Sequence, residues 1–492
     1  MNTDILELEP RVLWHYFSQL NATPRGTGKE EKAMQFILEV AASKGLQPYT
    51  DPAGNVLIRK PATPGMEKRA VLALQAHVDM VHQKTPASDF DFDTQGIQMY
   101  QDGDWVKAKE TTLGADNGIG VAAILALLTA DAITHPPLEA LFTVREEKGM
   151  VGAIGLPENL LKASAMLNLD SEEIDTITIG CAGRVAIVTR GSYGQVSVPA
   201  NTQAYCFKVY GLTGGHSGLE IHHGRANAIK LMCKLLTSVA AHADFYVASM
   251  KGGDAHNSIP REAEAMLVIQ EKDKDKFLKL VKMQSGNLYR LFSKTDPNLK
   301  IDCSSCAPPE FVMSDESRQT LNHLINWCPD GIYTMSSDMS EHVQTSNTLS
   351  IFELQNGKYE IQCLTRSSVD TEKDQLAQSI SGAFTAAGAN VSLDGAYSGW
   401  SPKPDAAIVR HVASIYKKLF HREPKITAIH AGLECGIICS KYPAMDIASI
   451  GPTILGAHTP DERVQISSVK DFWKLLLEIL ATMPEIKNLR KS

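Results

Sequence analysis

At 492 residues, with 43% hydrophobic and 21% charged positions, the chain exceeds what one core commonly fills, so two or three ordered domains are expected and global disorder is excluded. A net charge of −8 without any Lys/Arg run argues against a nucleic-acid surface, which needs clustered positive charge to neutralise phosphates. Nine cysteines, an odd count spread over a long chain, fit reduced thiols better than a disulfide framework.

The opening MNTDILELEP has neither the basic nor the apolar region of a secretory signal, and no stretch reaches the roughly 18 apolar residues of a membrane span. A cytoplasmic protein with no membrane partner is therefore expected. Thr27-Gly-Lys-Glu30 has capping-box spacing and opens EEKAMQFILEVAASKG, whose helical periodicity lasts to Gly45. Short apolar runs follow: VLALQA before His77, LEALFTV before Arg145-Glu146-Glu147, AMLNL before Asp170, and MDIASIG before His458. Each reads as a buried strand, and GIGVAAILALLTA between the first two reads as a helix packed on a sheet. Strands alternating with helices predict an α/β domain.

After about residue 190 the texture changes to strands such as YCFKVYG and AEAMLVIQ and amphipathic helices such as GRANAIKLMCKLLTSVAAH. TLSIFEL, YEIQCLTR and KDQLAQSISGAFTAAG form a second strand-helix group without a clear repeat. We expect a first domain over 1–190, an inserted α+β domain over 191–397, and the return of the first domain over 398–492. Within the insert, Cys303-Ser-Ser-Cys306 lacks a second pair or nearby histidines for a zinc ribbon, so two buried free thiols are expected.

In open α/β sheets ligands bind beyond the carboxyl ends of strands, where four predicted strands here lead into metal-capable residues. His77-Val-Asp79 has the i, i+2 spacing that turns both side chains to one side, so that Asp79 can orient an imidazole on a metal. Seen alone, an HxD triplet is an ordinary polar strand end. Glu146-Glu147 places two carboxylates side by side, which raises a pKa unless a cation compensates; Asp170 and Glu172-Glu173 offer the same choice between site and solvated loop. Gly118-Ile-Gly120-Val-Ala-Ala123 copies a dinucleotide fingerprint, but the segment before it is polar and Asp116 would repel a pyrophosphate. Neither a GxSxG elbow nor an HExxH helix is present.

In chain order QAHVDMV, TTLGADNGIG, EEKGM, NLDSEE, GCAG, GLTGGHSG, NSIPREA, IHAGLECG and SIGPTILGAHTPDE resemble the bacterial aminoacyl-histidine dipeptidases over nearly the whole chain. These belong to a metallopeptidase group that includes carnosinases, aminoacylase-1 and carboxypeptidase G. The resemblance implies a di-zinc exopeptidase-type catalytic domain, a mixed sheet flanked by helices, with an inserted α+β lid. It implies that Asp116 bridges two zinc ions, with His77 and Asp170 on one and Glu147 and His458 on the other, and that cobalt or manganese can substitute. Asp79 is implied as the support of His77, Glu146 as the general base, and the Asp116–Asn117 peptide as cis.

In the lid the resemblance implies that His216 stabilises the oxyanion, Asn257 contacts substrate and Arg366 anchors the substrate carboxylate; beyond the lid, Gly432 in AGLECG is expected to let backbone N–H groups approach the substrate's C-terminus. His430, His222 and His223 are left without a role. Dipeptide substrates, Xaa-His and broader, are implied. An N-acyl amino acid amidohydrolase and a non-catalytic relative are the competing readings, the second disfavoured because every ligand and the base are present. Many relatives dimerise through the lid, yet an enlarged lid can replace the partner, so a homodimer stays an open expectation.

Overall fold

The run Leu72–His77 forms a strand with every residue buried, as a continuous apolar stretch requires when both sheet faces are covered. It pairs in parallel with Leu138–Thr143 on one side and Ala165–Asn168 on the other, and Asp446–Ser449 pairs in parallel with the latter. All four carboxyl ends therefore leave the sheet at the same edge. Antiparallel neighbours extend it, including Val56–Lys60 beside Leu138–Thr143 and Thr176–Cys181 beside Asp446–Ser449, giving a mixed eight-stranded sheet. Helix Ala115–Thr129 is apolar all round and almost wholly buried, and it packs on the Leu72–His77 strand and on helix Arg11–Asn21. At its start, a Cβ on Gly120 would stand 2.9 Å from the Leu169 carbonyl oxygen, so close packing explains this glycine of the dinucleotide-like pattern.

The computed structural model describes residues 3–485, and these divide into two compact units. The first holds this sheet and comprises Met1–Cys181, Trp400–Ala428 and Leu433–Ser492; the second comprises Ala182–Gly399 and Ile429–Gly432. The expected boundary at 190/191 falls inside the strand Gly183–Ser192, which belongs to the second unit's sheet. Nothing in GRVAIVTRGS breaks from the strand before it, so composition placed the change nine residues late. Cys181 and Trp400 exchange backbone hydrogen bonds of 3.0 and 2.9 Å, tying together the two points where the chain leaves and re-enters the first unit.

The second unit is built on one nine-stranded sheet whose pairings are antiparallel, covered by helices Ala228–Ala240, Lys274–Leu291, Asp315–Trp327 and Asp370–Ala386. The two strand-helix groups seen in the sequence share this sheet and this core. At Gly183 a Cβ would meet the Gly399 nitrogen at 2.4 Å, so only glycine lets the strands pass here.

Two local expectations are corrected. Helix Glu31–Ser43 forms, but the capping box does not: the Thr27 hydroxyl donates to the Met80 carbonyl, and the Glu30 carboxylate accepts from the Gly28 and Arg145 backbones. Cys303 is exposed and Cys306 half-buried, because Lys300–Cys306 is the edge strand of its sheet; all nine cysteines are free thiols. Among the described residues no helix is long and apolar enough to cross a membrane.

Candidate metal centre

His77 ends its strand buried, only 1% of the residue exposed, so the imidazole is presented at the sheet edge out of bulk water. Its Nδ1 faces the backbone carbonyl of Asp79 at 3.0 Å, which fixes the ring and turns Nε2 outward as a ligand atom. The Asp79 carboxylate lies farther from Nδ1, at 3.7 Å, and instead accepts the backbone N–H groups of Glu146 at 2.9 Å and Glu147 at 3.2 Å. Support for the imidazole thus comes through the aspartate's main chain, while its side chain sets the turn that carries the two glutamates.

Asp116 enters at the start of the Ala115–Thr129 helix, where its ψ of 111° is not helical and its peptide bond to Asn117 is cis. The approach to it, Leu113 to Asp116, presents four successive N–H groups to the carboxylate of Glu462 at 2.7 to 3.3 Å. Arg25, fully buried, donates to the Gly114 carbonyl and to the Val78 carbonyl, joining this loop to the His77 loop. Asp170 follows the Ala165–Asn168 strand, and His458 stands at φ +63° in a loop after the last parallel strand.

These elements converge. His77 Nε2 lies 3.0 Å from Asp116 Oδ1 and 3.3 Å from Asp170 Oδ1; His458 Nε2 lies 3.2 Å from Asp116 Oδ2 and 2.9 Å from Glu147 Oε1. That Glu147 oxygen, although buried, makes no hydrogen bond of acceptable direction. The result is two His-carboxylate triads sharing Asp116, each with its ligand atoms within 4.8 Å of one another; a third grouping joins His77, Glu146 and Glu147. Imidazole nitrogen and carboxylate oxygen suit zinc and its neighbours, and a shared carboxylate with one oxygen toward each triad has the form of a bridge. The residues fit a pair of divalent cations.

Electrostatics point the same way. Burial disfavours a charged His77, yet Asp170 and Asp116 outweigh it and hold its pKa well above the usual value. Hydrogen bonds to Asp116 and Glu147 raise His458 to about 11, and burial is likewise overcome at Asp116, which His458 and His77 keep well below the carboxylate range. Where no imidazole compensates fully the carboxyls go up: burial, with nearby acids, raises Asp170 to about 6, Glu172 to about 8, and Glu146 well above normal. So many acids around two imidazoles form a site short of positive charge.

Glu434, in the AGLECG segment, is a further buried acid that sequence reading passed over. It accepts from the side chains of Gln75 and Thr143 at 2.6 Å each, and burial raises its pKa to about 8. Glu462 and Arg25 were likewise missed, since a lone acid or base in a loop reads as solvated. Only the nearness of Glu462 to His458 in HTPDE offered a hint.

His216, Asn257 and Arg366, expected in the insert, fall in the second unit, and so does Gly432, which the expected bounds put in the returning first domain. His216 Nε2 lies 3.5 Å from Arg366 Nη2, and its Nδ1 accepts the Gly218 and Leu219 N–H groups. The Asn257 carbonyl accepts the Ser217 N–H at 2.8 Å, and Gly432 lies in the short return Ile429–Gly432. His430 is buried with Nε2 2.7 Å from the Ser346 hydroxyl, burial and then Arg366 lowering its pKa to about 3; His222 and His223 are exposed, their rings in contact and tilted 46° to each other.

Comparison with known proteins gives the family. The chain is 40% identical to the cytosol non-specific dipeptidase of Escherichia coli over 98% of its own length and 99% of the relative's. The chain belongs to the M20 dipeptidase family. The aminoacylhistidine dipeptidase structure from Vibrio alginolyticus superposes with a TM-score of 0.92 at 38% identity, covering 98% of each chain. A tripeptidase structure from Staphylococcus aureus, 16% identical with a TM-score of 0.55 over 97% and 99% of the chains, shares the fold. The M20 peptidase dimerisation domain matches residues 207–289, and peptidase family M28 matches residues 55–185, all but the last four of them in the first unit. The M28 likeness is local, whereas the M20 relatives span the whole chain, and they define this metallopeptidase as a catalytic domain carrying a dimerisation, or lid, domain.

Proposed function

We propose that the chain hydrolyses dipeptides, Xaa-His among a broader set, with two zinc ions held by the triads that meet at Asp116. His77, Asp116 and Asp170 would hold one cation, and Asp116, Glu147 and His458 the other. The observation that carries this reading is the pair of imidazoles facing the two oxygens of one half-buried carboxylate, 3.0 and 3.2 Å away. When bound, such cations supply Lewis acidity toward the scissile carbonyl and acidify the attacking water; cobalt or manganese can replace zinc.

Glu146 is the general base. It shares the turn set by Asp79, groups with His77 and Glu147, and has a pKa raised by burial, so it holds a proton readily once it takes one. In this reading its carboxylate removes the proton of the attacking water and returns it to the departing amine. Asp79 positions both glutamates and, through its carbonyl, His77. In the second unit His216 stabilises the oxyanion, Arg366 and Asn257 hold the substrate, and the Gly432 backbone receives its C-terminus. The cytosolic relative and the absence of a membrane-spanning helix among the described residues support work in the cytoplasm.

A dipeptide-library hydrolysis screen with added zinc, cobalt or manganese tests the reading. Cleavage of dipeptides including β-alanyl-histidine is expected; cleavage of N-acetyl amino acids in their place would move the chain to the amidohydrolases. Sedimentation of the same preparation distinguishes monomer from homodimer.

A further inference from the structure

Four side chains form a row across the sheet of the second unit. Strand register sets Tyr397 opposite Arg184, Arg184 opposite Arg366, and Arg366 opposite Ser346, so all four emerge on one face. Like charges directly opposite each other destabilise a sheet unless something compensates. The arginines that form ion pairs among the described residues are Arg11, Arg59, Arg190, Arg225 and Arg318; neither Arg184 nor Arg366 is among them. Arg366 is only 3% exposed, and its Nε has no hydrogen-bond partner.

Arg184 stands among the residues read as substrate contacts. Its guanidinium lies 5.2 Å from the centre of the Tyr397 ring, and its Nη1 is 3.5 Å from Nε2 of His256, the neighbour of Asn257. Stacking on an aromatic face holds a guanidinium flat and leaves its edge donors for a planar carboxylate. The nearby imidazoles cannot supply the missing negative charge. Burial first, with help from the two arginines, lowers His216 to about 4 and lowers His256 as well, so both rings are neutral donors or acceptors at physiological pH. Two cations therefore face one region, and a dipeptide's main-chain carboxylate answers only one of them.

We propose that Arg184 binds a second carboxylate, the side chain of an Asp or Glu at the C-terminal position of the dipeptide, beside the main-chain carboxylate taken by Arg366. The inference rests on the dipeptidase reading and gives it a substrate class, Xaa-Asp and Xaa-Glu. A dipeptide ending in Asn or Gln has nearly the same shape and lacks the charge, so it isolates what Arg184 contributes.

The test measures kcat/KM for Gly-Asp against Gly-Asn and Gly-Glu against Gly-Gln, with Gly-Ala as reference, on the metal-loaded full chain and on Arg184→Ala and Arg184→Lys. A charge-assisted contact predicts acid-over-amide ratios of about tenfold or more in the wild type, near one in Arg184→Ala and intermediate in Arg184→Lys. The wild-type ratio stands without any variant, so poor folding of Arg184→Ala does not disable the test. Cleavage of Gly-Ala with wild-type ratios near one overturns the role of Arg184 and leaves the dipeptidase reading intact, as do ratios unchanged by substitution. Failure to cleave any dipeptide, Gly-Ala included, overturns that reading and this inference with it.

Discussion

Glu462 holds Asp116 by its backbone: its Oε1 accepts the N–H groups of Ala115 and Asp116 at 2.8 and 3.3 Å, while Oε2 accepts those of Leu113 and Gly114 at 2.7 and 2.9 Å. The loop that delivers His458 thus also fixes the residue placed between the two triads. In Glu462→Gln one side of the acceptor pair becomes an amide NH2 that faces two N–H donors. The expected result is metal binding weakened 10- to 100-fold, read by chelator competition. Urea melts of the metal-free variant should show a loss of about 3 kcal/mol. Wild-type metal affinity in this variant would remove Glu462 from the positioning of the site.

Glu146 and Glu147 are neighbours with different assignments, and substitution separates them. Glu146→Gln should retain about two metals per chain by mass spectrometry while kcat falls at least 10²- to 10⁴-fold, the range of a lost general base. Loss of one metal in that variant would make Glu146 a ligand instead.

In the metal-free chain, His77 and His458 both carry raised pKa values, the latter about 11, so each is an imidazolium at neutral pH. Metals bind the neutral ring, and each ligand must give up its proton first. Apparent affinity should therefore rise with pH between 6 and 8, about tenfold per unit for each proton released. Titration calorimetry in buffers of different ionisation heat reads that release; heats independent of the buffer would contradict it.

Glu434 predicts a pH dependence of stability in the metal-free protein. Burial lifts its pKa to about 8, above the ordinary carboxyl value near 4.5. A carboxyl whose folded pKa is raised contributes its stability below the unfolded value and loses it as pH climbs through the folded one. Metal-free protein should thus weaken from pH 5 to pH 9. Glu434→Gln, a neutral isostere, should exceed the wild type at pH 9 by about 2–4 kcal/mol and match it near pH 5. Parallel pH profiles for the two proteins would refute this.

The strands that carry the centre were legible because an apolar run ending in His or acid is unusual, and the order of motifs did the rest. The reach of Asp79 was not legible: i, i+2 spacing placed it beside His77, but its carboxylate turns toward amides that only the parallel pairing of Leu72–His77 with Leu138–Thr143 brings near. Arg25 and Glu462 were hidden for a related reason, since burial and not residue type distinguishes them from solvated loop charges. Thr27 showed the converse, a local pattern overridden when its hydroxyl met the Met80 carbonyl across the fold.

The strand Asp446–Ser449 lies directly against Ala165–Asn168, although about 280 residues separate them. During synthesis the ribosome makes the second unit before that neighbour exists, and His458 comes later still. A nascent chain therefore displays His77, Asp116, Glu147 and Asp170 well before the last ligand is translated. On the proposed ligand set, loading with metal would be a closing event of biosynthesis, and the half-made protein is a cluster of acids short of its counter-charge.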